Sequence, residues 1–241
     1  MKRIILYFFL FATCLYSQGF NWQVSPRFPV SMPVTFYGIG LDYSTILNKG
    51  SFNLAENEIP CCLFDEGSGA QYGFSLNMER WLNGVSSINY FANFSIITSK
   101  FEIDNKLPTR EGNFETKYIF NSTLYYIGLG ISYKIRVPEI NLNFVGGLSL
   151  MINLSNKQIH TELALTDNVP FSERILTKGK INDINIFLIN PFIAVNTDLD
   201  MGVGMYASPS FTLLYNVNSI LSDESWHGLG FNLGVKIYRA F

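Results

Sequence analysis

Charge is scarce in this chain. Of 241 residues, 17 are Lys or Arg and 19 are Asp or Glu, giving a formal net charge of −2. The basic residues form no cluster, which excludes the concentrated positive surface that a nucleic-acid partner requires. Histidine is rarer still, at positions 160 and 227 only, and the three cysteines, Cys14, Cys61 and Cys62, lack further Cys or His at metal-ligand spacing. No metal, cofactor or catalytic site is therefore expected. Beyond the N-terminus no apolar run approaches the about 18 residues of a membrane helix. That excludes a helical membrane protein but not a barrel, whose strands are apolar only at every second position. Phenylalanine, tyrosine and glycine are abundant instead, at 21, 13 and 19 residues.

Lys2 and Arg3 precede an apolar run from Ile4 to Ala12, followed by small and polar residues to Ser17 and Gln18. This is the order of a secretory signal peptide, and its apolar run is half of the roughly 20 residues that span a bilayer. Residues 1–17 are read as that signal, 18–33 (with Pro26, Pro29 and Pro33) as a periplasmic N-terminal segment, and 34–241 as the folded domain. Thr13 just before Cys14, and Phe11 at the third position before it, fit lipoprotein processing poorly.

Period-two alternation recurs in eight segments, about 34–45, 70–81, 87–101, 118–135, 140–153, 185–196, 201–215 and the stretch ending at Phe241. In the fourth, Thr123, Tyr125, Ile127, Leu129, Ile131, Tyr133 and Ile135 oppose Gly128, Gly130, Ser132 and Lys134. In the last, Leu229, Phe231, Leu233, Val235, Ile237 and Phe241 oppose Gly228, Gly230, Asn232, Gly234 and Lys236, and Arg239 alone interrupts the apolar face. Links near 83–84, 136–139 and 197–200 are short; those at 46–69, 102–117, 154–184 and 216–226 are long. The pattern predicts an all-β fold, an eight-stranded antiparallel transmembrane β-barrel with up-and-down topology. Short turns would lie on the periplasmic rim and long loops outside the cell.

Four Gly-x-Gly pairs, at 38/40, 128/130, 202/204 and 228/230, do not continue into the Gly-x-Gly-x-x-Gly turn of a dinucleotide site. They are placed on the interior face, making room for Phe36, Tyr126 and Tyr206. An eight-stranded barrel is just wide enough to be filled by side chains, so no open channel is expected. Glu79, Lys134 and Lys236 face inward near the periplasmic rim, and because an isolated buried charge is costly they are read as one structural ion cluster. Tyr37, Trp81, Tyr133 and Phe241 at one rim, and Tyr43, Tyr72, Tyr215 and Trp226 at the other, suit interfacial girdles.

The terminal strand, with Leu233, Val235, Ile237 and Phe241, resembles the closing strand of bacterial outer-membrane barrels, the part recognised by the insertion machinery. Together with the alternating strands and the signal segment ending before Gln18, the chain resembles small outer-membrane β-barrels of the OmpA/OmpX class, and more closely those common in Bacteroidota. That resemblance implies an integral protein of a Gram-negative outer membrane, without a cofactor, in contact with outer-membrane lipid and lipopolysaccharide. It transfers no binding residue, since fold does not fix function.

The expected role is non-enzymatic: long extracellular loops, above all 46–69 and 154–184, contacting a surface or envelope partner, or a barrel that maintains envelope integrity. An accessory subunit of an export or secretion machine, docked through residues 18–33, is the alternative. A lipid A-modifying enzyme is a third reading. It would need His227 to act with Ser225 and Asp223 or Glu224, near neighbours in sequence that need not converge on one reacting atom. Cys61 and Cys62 leave two readings, a vicinal disulfide or unpaired loop thiols.

Overall fold

A computed structural model of the chain describes residues 35–52, 63–109, 112–165, 172–202 and 204–240. The readings of residues 1–17 and 18–33, of Cys61 and Cys62, and of Phe241 lie outside the described residues. The strands are β1 (Thr35–Phe52), β2 (Phe64–Trp81), β3 (Ser86–Thr109), β4 (Gly112–Val137), β5 (Leu142–Ala164), β6 (Glu173–Gly179), β7 (Phe187–Asn196), β8 (Leu199–Gly202), β9 (Met205–Tyr215) and β10 (Ser225–Ala240).

Every pairing is antiparallel. The order runs β10, β1, β2, β3, β4, β5, β7, β9, and β9 pairs back onto β10, so the sheet closes. β8 continues the line of β7 along β9, with Asn196 opposite Ser210 and Leu199 opposite Ala207. The wall therefore has eight strands, while among the described residues β6 pairs with β5 alone and stands outside the ring. Burial is inverted relative to a water-soluble protein: Leu129 is 70% exposed and Ile193 64%, whereas Glu79 is 1%. Such a wall suits lipid outside and polar packing within, and the fold is a transmembrane β-barrel.

Three expected loops turn out to be largely strand. β3 and β4 continue to Thr109 opposite Gly112, β1 reaches Phe52 with β2 beginning at Phe64, and β5 runs to Ala164 and is joined by β6. Beyond the lipid band the outer face meets water, so the apolar half of the alternation fades while the hydrogen-bond ladder goes on. Register shifts at Lys49/Phe52, Tyr125/Tyr126 and His160/Thr161 also change which parity points inward.

At the short-turn end, Asn83 Oδ1 accepts from the backbone N–H of Val85 and Ser86 at 2.9 and 2.8 Å, closing the β2–β3 turn. The reversal expected at 197–200 lies further on. Gly202 and Gly204, with φ of 80° and 70°, flank the β8–β9 turn; L side chains are strained in that conformation. Gly130 does face inward, where an added Cβ would sit 2.1 Å from the Phe91 ring. Gly38 makes the same allowance for Tyr238, so the rings served are not those the sequence pointed to.

The interior has three tiers. At the short-turn end, Phe36, Trp81, Tyr206 and Tyr238 pack together, with Tyr206 stacked on Tyr238 at 4.9 Å. In the middle lies a cavity of about 100 Å³ whose wall mixes polar Asp42, Gln71, Asn93, Asn190, Asn232 and Lys236 with apolar Phe91, Met151 and Phe192. Gln71 Oε1, Asn93 Oδ1 and Asn190 Oδ1 have no hydrogen-bond partner among the described residues, and a space of this size with several polar groups on its wall can hold water. At the far end Phe52 packs against Phe64, Phe101, Phe120 and Trp226, with centroids 4.9 to 5.7 Å away. Ile181, Ile220 and Leu221 from the upper connections join this cluster. Its rings fill the mouth of the barrel.

Candidate functional site

At the base of the barrel, Lys134 on β4 is the hub of a buried charge cluster. Its Nζ lies 2.6 Å from Glu79 Oε1 on β2 and 3.1 Å from Asp198 Oδ2 in the link between β7 and β8. Arg136, two residues along β4 and so on the same face, reaches Asp198 Oδ2 at 3.2 Å. Ser87 Oγ donates to Glu79 at 2.5 Å and Asn143 Nδ2 to Asp198 at 3.0 Å. Trp81, expected in an outer girdle, is buried beneath both cations, its ring centre 5.0 Å from Lys134 Nζ and 4.8 Å from Arg136 Cζ. Its odd-numbered position continues the inward row of Asn77 and Glu79, which decides its direction.

Lys236 is not in this cluster. It lies opposite Gly40 and Ser208 and borders the middle cavity, with its ammonium 5.7 Å from the Phe91 ring centre. Barrel strands tilt, so equal distances from strand ends do not place residues at equal heights. Asp198 and Arg136 take the role the sequence reading gave to Lys236. Arg136 was legible by extending the Lys134 alternation two residues. Asp198 was not, because it sits where the chain bends between two strands and both Thr197 and Asp198 turn fully inward.

Above the lipid band, β3, β4, β5 and β6 form a protruding sheet. Its outer face carries Lys100, Glu102 and Lys117, and Lys117 Nζ meets Glu102 Oε2 at 2.5 Å while Lys100 pairs with the other oxygen. These hydrogen bonds hold the Glu102 carboxyl below the usual carboxylate range and push Lys117 up. On the opposite face Tyr118 Oη donates to Glu162 Oε1 at 2.9 Å, and Arg174 on β6 pairs with the same carboxylate. His160 packs between the rings of Phe64 and Tyr118, at 5.8 and 6.0 Å. Burial pushes its imidazole below the ordinary histidine value. β6 presents Ile175 and Leu176 to solvent, and its outer edge pairs with no strand among the described residues.

The remaining expected site residues are easily placed. Leu233 and Val235 face outward, Ile237 is half-buried, and Tyr37, Tyr43, Tyr72, Tyr133 and Tyr215 are exposed on the wall. Trp226, assigned from sequence to the upper girdle, is buried: it stacks on Phe52, and its Nε1–H donates to Asn48 Oδ1 at 3.0 Å. His227 Nδ1 donates to the Asn216 carbonyl at 3.0 Å and its ring lies parallel to Tyr215. The orienting partner of His227 is thus a backbone carbonyl.

No protein-family model matches the chain, and no curated protein matches it. Among solved structures it is similar to Ail, the attachment invasion locus protein of Yersinia pestis, at 10% identity, covering 84% of this chain and 97% of that one with a TM-score of 0.39. It is similar to Neisserial surface protein A at 9% identity, over 83% and 96% of the two chains with a TM-score of 0.38. The outer membrane protease OmpT from Escherichia coli is similar at 12% identity, over 90% and 100% with a TM-score of 0.36.

Proposed function

We propose that this protein is a non-enzymatic, integral outer-membrane barrel that presents the β3–β6 sheet as a binding surface outside the cell. The observation that carries the reading is the outer edge of β6, which pairs with no strand among the described residues, with Ile175 and Leu176 exposed beside it. A sheet edge offers a row of backbone donors and acceptors to any extended segment. Filling of the barrel by its ionic base and aromatic mouth favours surface contact over solute passage. On this reading residues 1–17 direct export, Leu233, Val235, Ile237 and Phe241 serve the insertion machinery, and the protein is OmpA/OmpX-like of the type common in Bacteroidota.

The test is photo-crosslinking in intact cells. A photoreactive residue at Leu176 is expected to give an adduct with a second macromolecule, and the same probe at Leu129, 70% exposed on the lipid wall, should give lipid adducts only. Absence of any macromolecular adduct at Leu176, with the barrel folded and surface-exposed, would refute the proposal.

A further inference from the structure

The outward residues of β1 and β10 change character in one step. Ascending the wall, the facing pairs are Ile39 with Ile237, Leu41 with Val235, Tyr43 with Leu233, Thr45 with Phe231 and Leu47 with Leu229; the next is Lys49 with His227. On its other side Lys49 faces Glu66 of β2. A surface groove of about 580 Å³ opens here, with Leu47, Leu229 and Tyr215 on its apolar side and Lys49, His227 and Glu66 on its polar side.

Two further observations make the groove a site. Lys49 makes none of the ion pairs found among the described residues, although Glu66 is its lateral neighbour. His227 is held in place: its ring lies parallel to Tyr215 at 6.0 Å and its Nδ1–H is committed to the Asn216 carbonyl, which leaves Nε2 on the far side of the ring. Directly opposed residues on paired strands have Cβ atoms about 5 Å apart. Rooted at that spacing, an ammonium and an imidazole nitrogen can both reach the oxygens of one anion.

We propose that this groove binds one phosphorylated lipid of the surrounding outer leaflet, an inference that rests on the outer-membrane reading above. The phosphate sits between Lys49 Nζ and His227 Nε2, an acyl chain follows Leu47, Leu229 and Tyr215, and Glu66 accepts a hydroxyl of the headgroup. With Nδ1–H given to the Asn216 carbonyl, Nε2 accepts the O–H of a phosphate monoester while the Lys49 ammonium donates to another of its oxygens. Neither an apolar wall nor a lone lysine would choose a phosphate. The histidine opposite makes the difference.

Binding is measured by native mass spectrometry of the full chain in an uncharged detergent. The probes are monophosphoryl lipid A, the same lipid without its phosphate, and inorganic phosphate. The wild type should retain one monophosphoryl lipid per chain. Lys49→Gln and His227→Gln should each weaken retention by about tenfold or more. Lys157→Gln should leave it unchanged, because that exposed lysine faces Thr123 and no histidine. Equal binding of the dephosphorylated lipid, displacement by equimolar inorganic phosphate, or wild-type retention by Lys49→Gln would each overturn the proposal. Heat-modifiable gel migration of every variant separates these outcomes from loss of the barrel, which would count against the outer-membrane reading instead.

Discussion

Replacing Lys134 by methionine keeps the length of the side chain and removes its charge from the base of the barrel. Two carboxylates lose a partner: Glu79, 2.6 Å from the ammonium, and Asp198, 3.1 Å away. Breaking a buried pair by removing one member costs about 3–5 kcal/mol, because the survivor stays charged in a dry site. Here the lower end of that range applies, since Arg136 still reaches Asp198 and the Ser87 hydroxyl still donates to Glu79. A loss of about 3 kcal/mol corresponds to a fall of about 1 to 3 M in the urea midpoint. Unfolding from lipid vesicles can be followed by tryptophan fluorescence, with Trp81 as the local reporter because Lys134 lies over its ring. The double variant Lys134→Met, Glu79→Gln should recover about 1.5–3 kcal/mol relative to the sum of the single changes. Added salt should leave the cost of Lys134→Met nearly unaltered, since a buried pair is screened little. A cost below about 1 kcal/mol, or strict additivity in the double variant, would refute the view that this cluster is buried and mutually neutralising.

The aromatic mouth gives a second test: Phe52→Ala removes a fully buried ring packed against four others and should cost about 3–5 kcal/mol in the same urea assay, whereas a cost under 1 kcal/mol would mean the mouth is loosely filled. Acid should loosen the protruding sheet. The folded imidazole of His160 is depressed below its unfolded value, so its contribution is complete above the unfolded value and is lost as pH falls through the folded one. Amide protection factors in β5 and β6, with the intrinsic exchange rate at each pH divided out, should therefore fall below about pH 6.5, and His160→Phe should abolish that fall. An identical pH dependence in the variant would remove His160 as its origin.

Residue order alone determined which surface meets lipid. Along Tyr37, Ile39, Leu41 and Tyr43, and again along Ile127 to Ile135, side chains alternate sides of a strand, and a bilayer on one side keeps that face apolar. The inward direction of Glu79 and Lys134 follows from the same parity. The protruding sheet was hidden because water on its outer face permits Lys100, Glu102 and Lys117 where the lipid-facing rows need apolar residues. Trp226 was misplaced, since near a strand end an aromatic residue suits both a girdle and a plug, and only its stacking on Phe52 decides between them. Height within the barrel belongs to the tertiary structure too. Strand tilt sets Lys236 beside the cavity while Asp198, from a bend with no periodicity of its own, completes the charge cluster. Which rows exist is a property of sequence; which members of different rows meet is fixed only when the sheet closes and its tilt sets their relative heights.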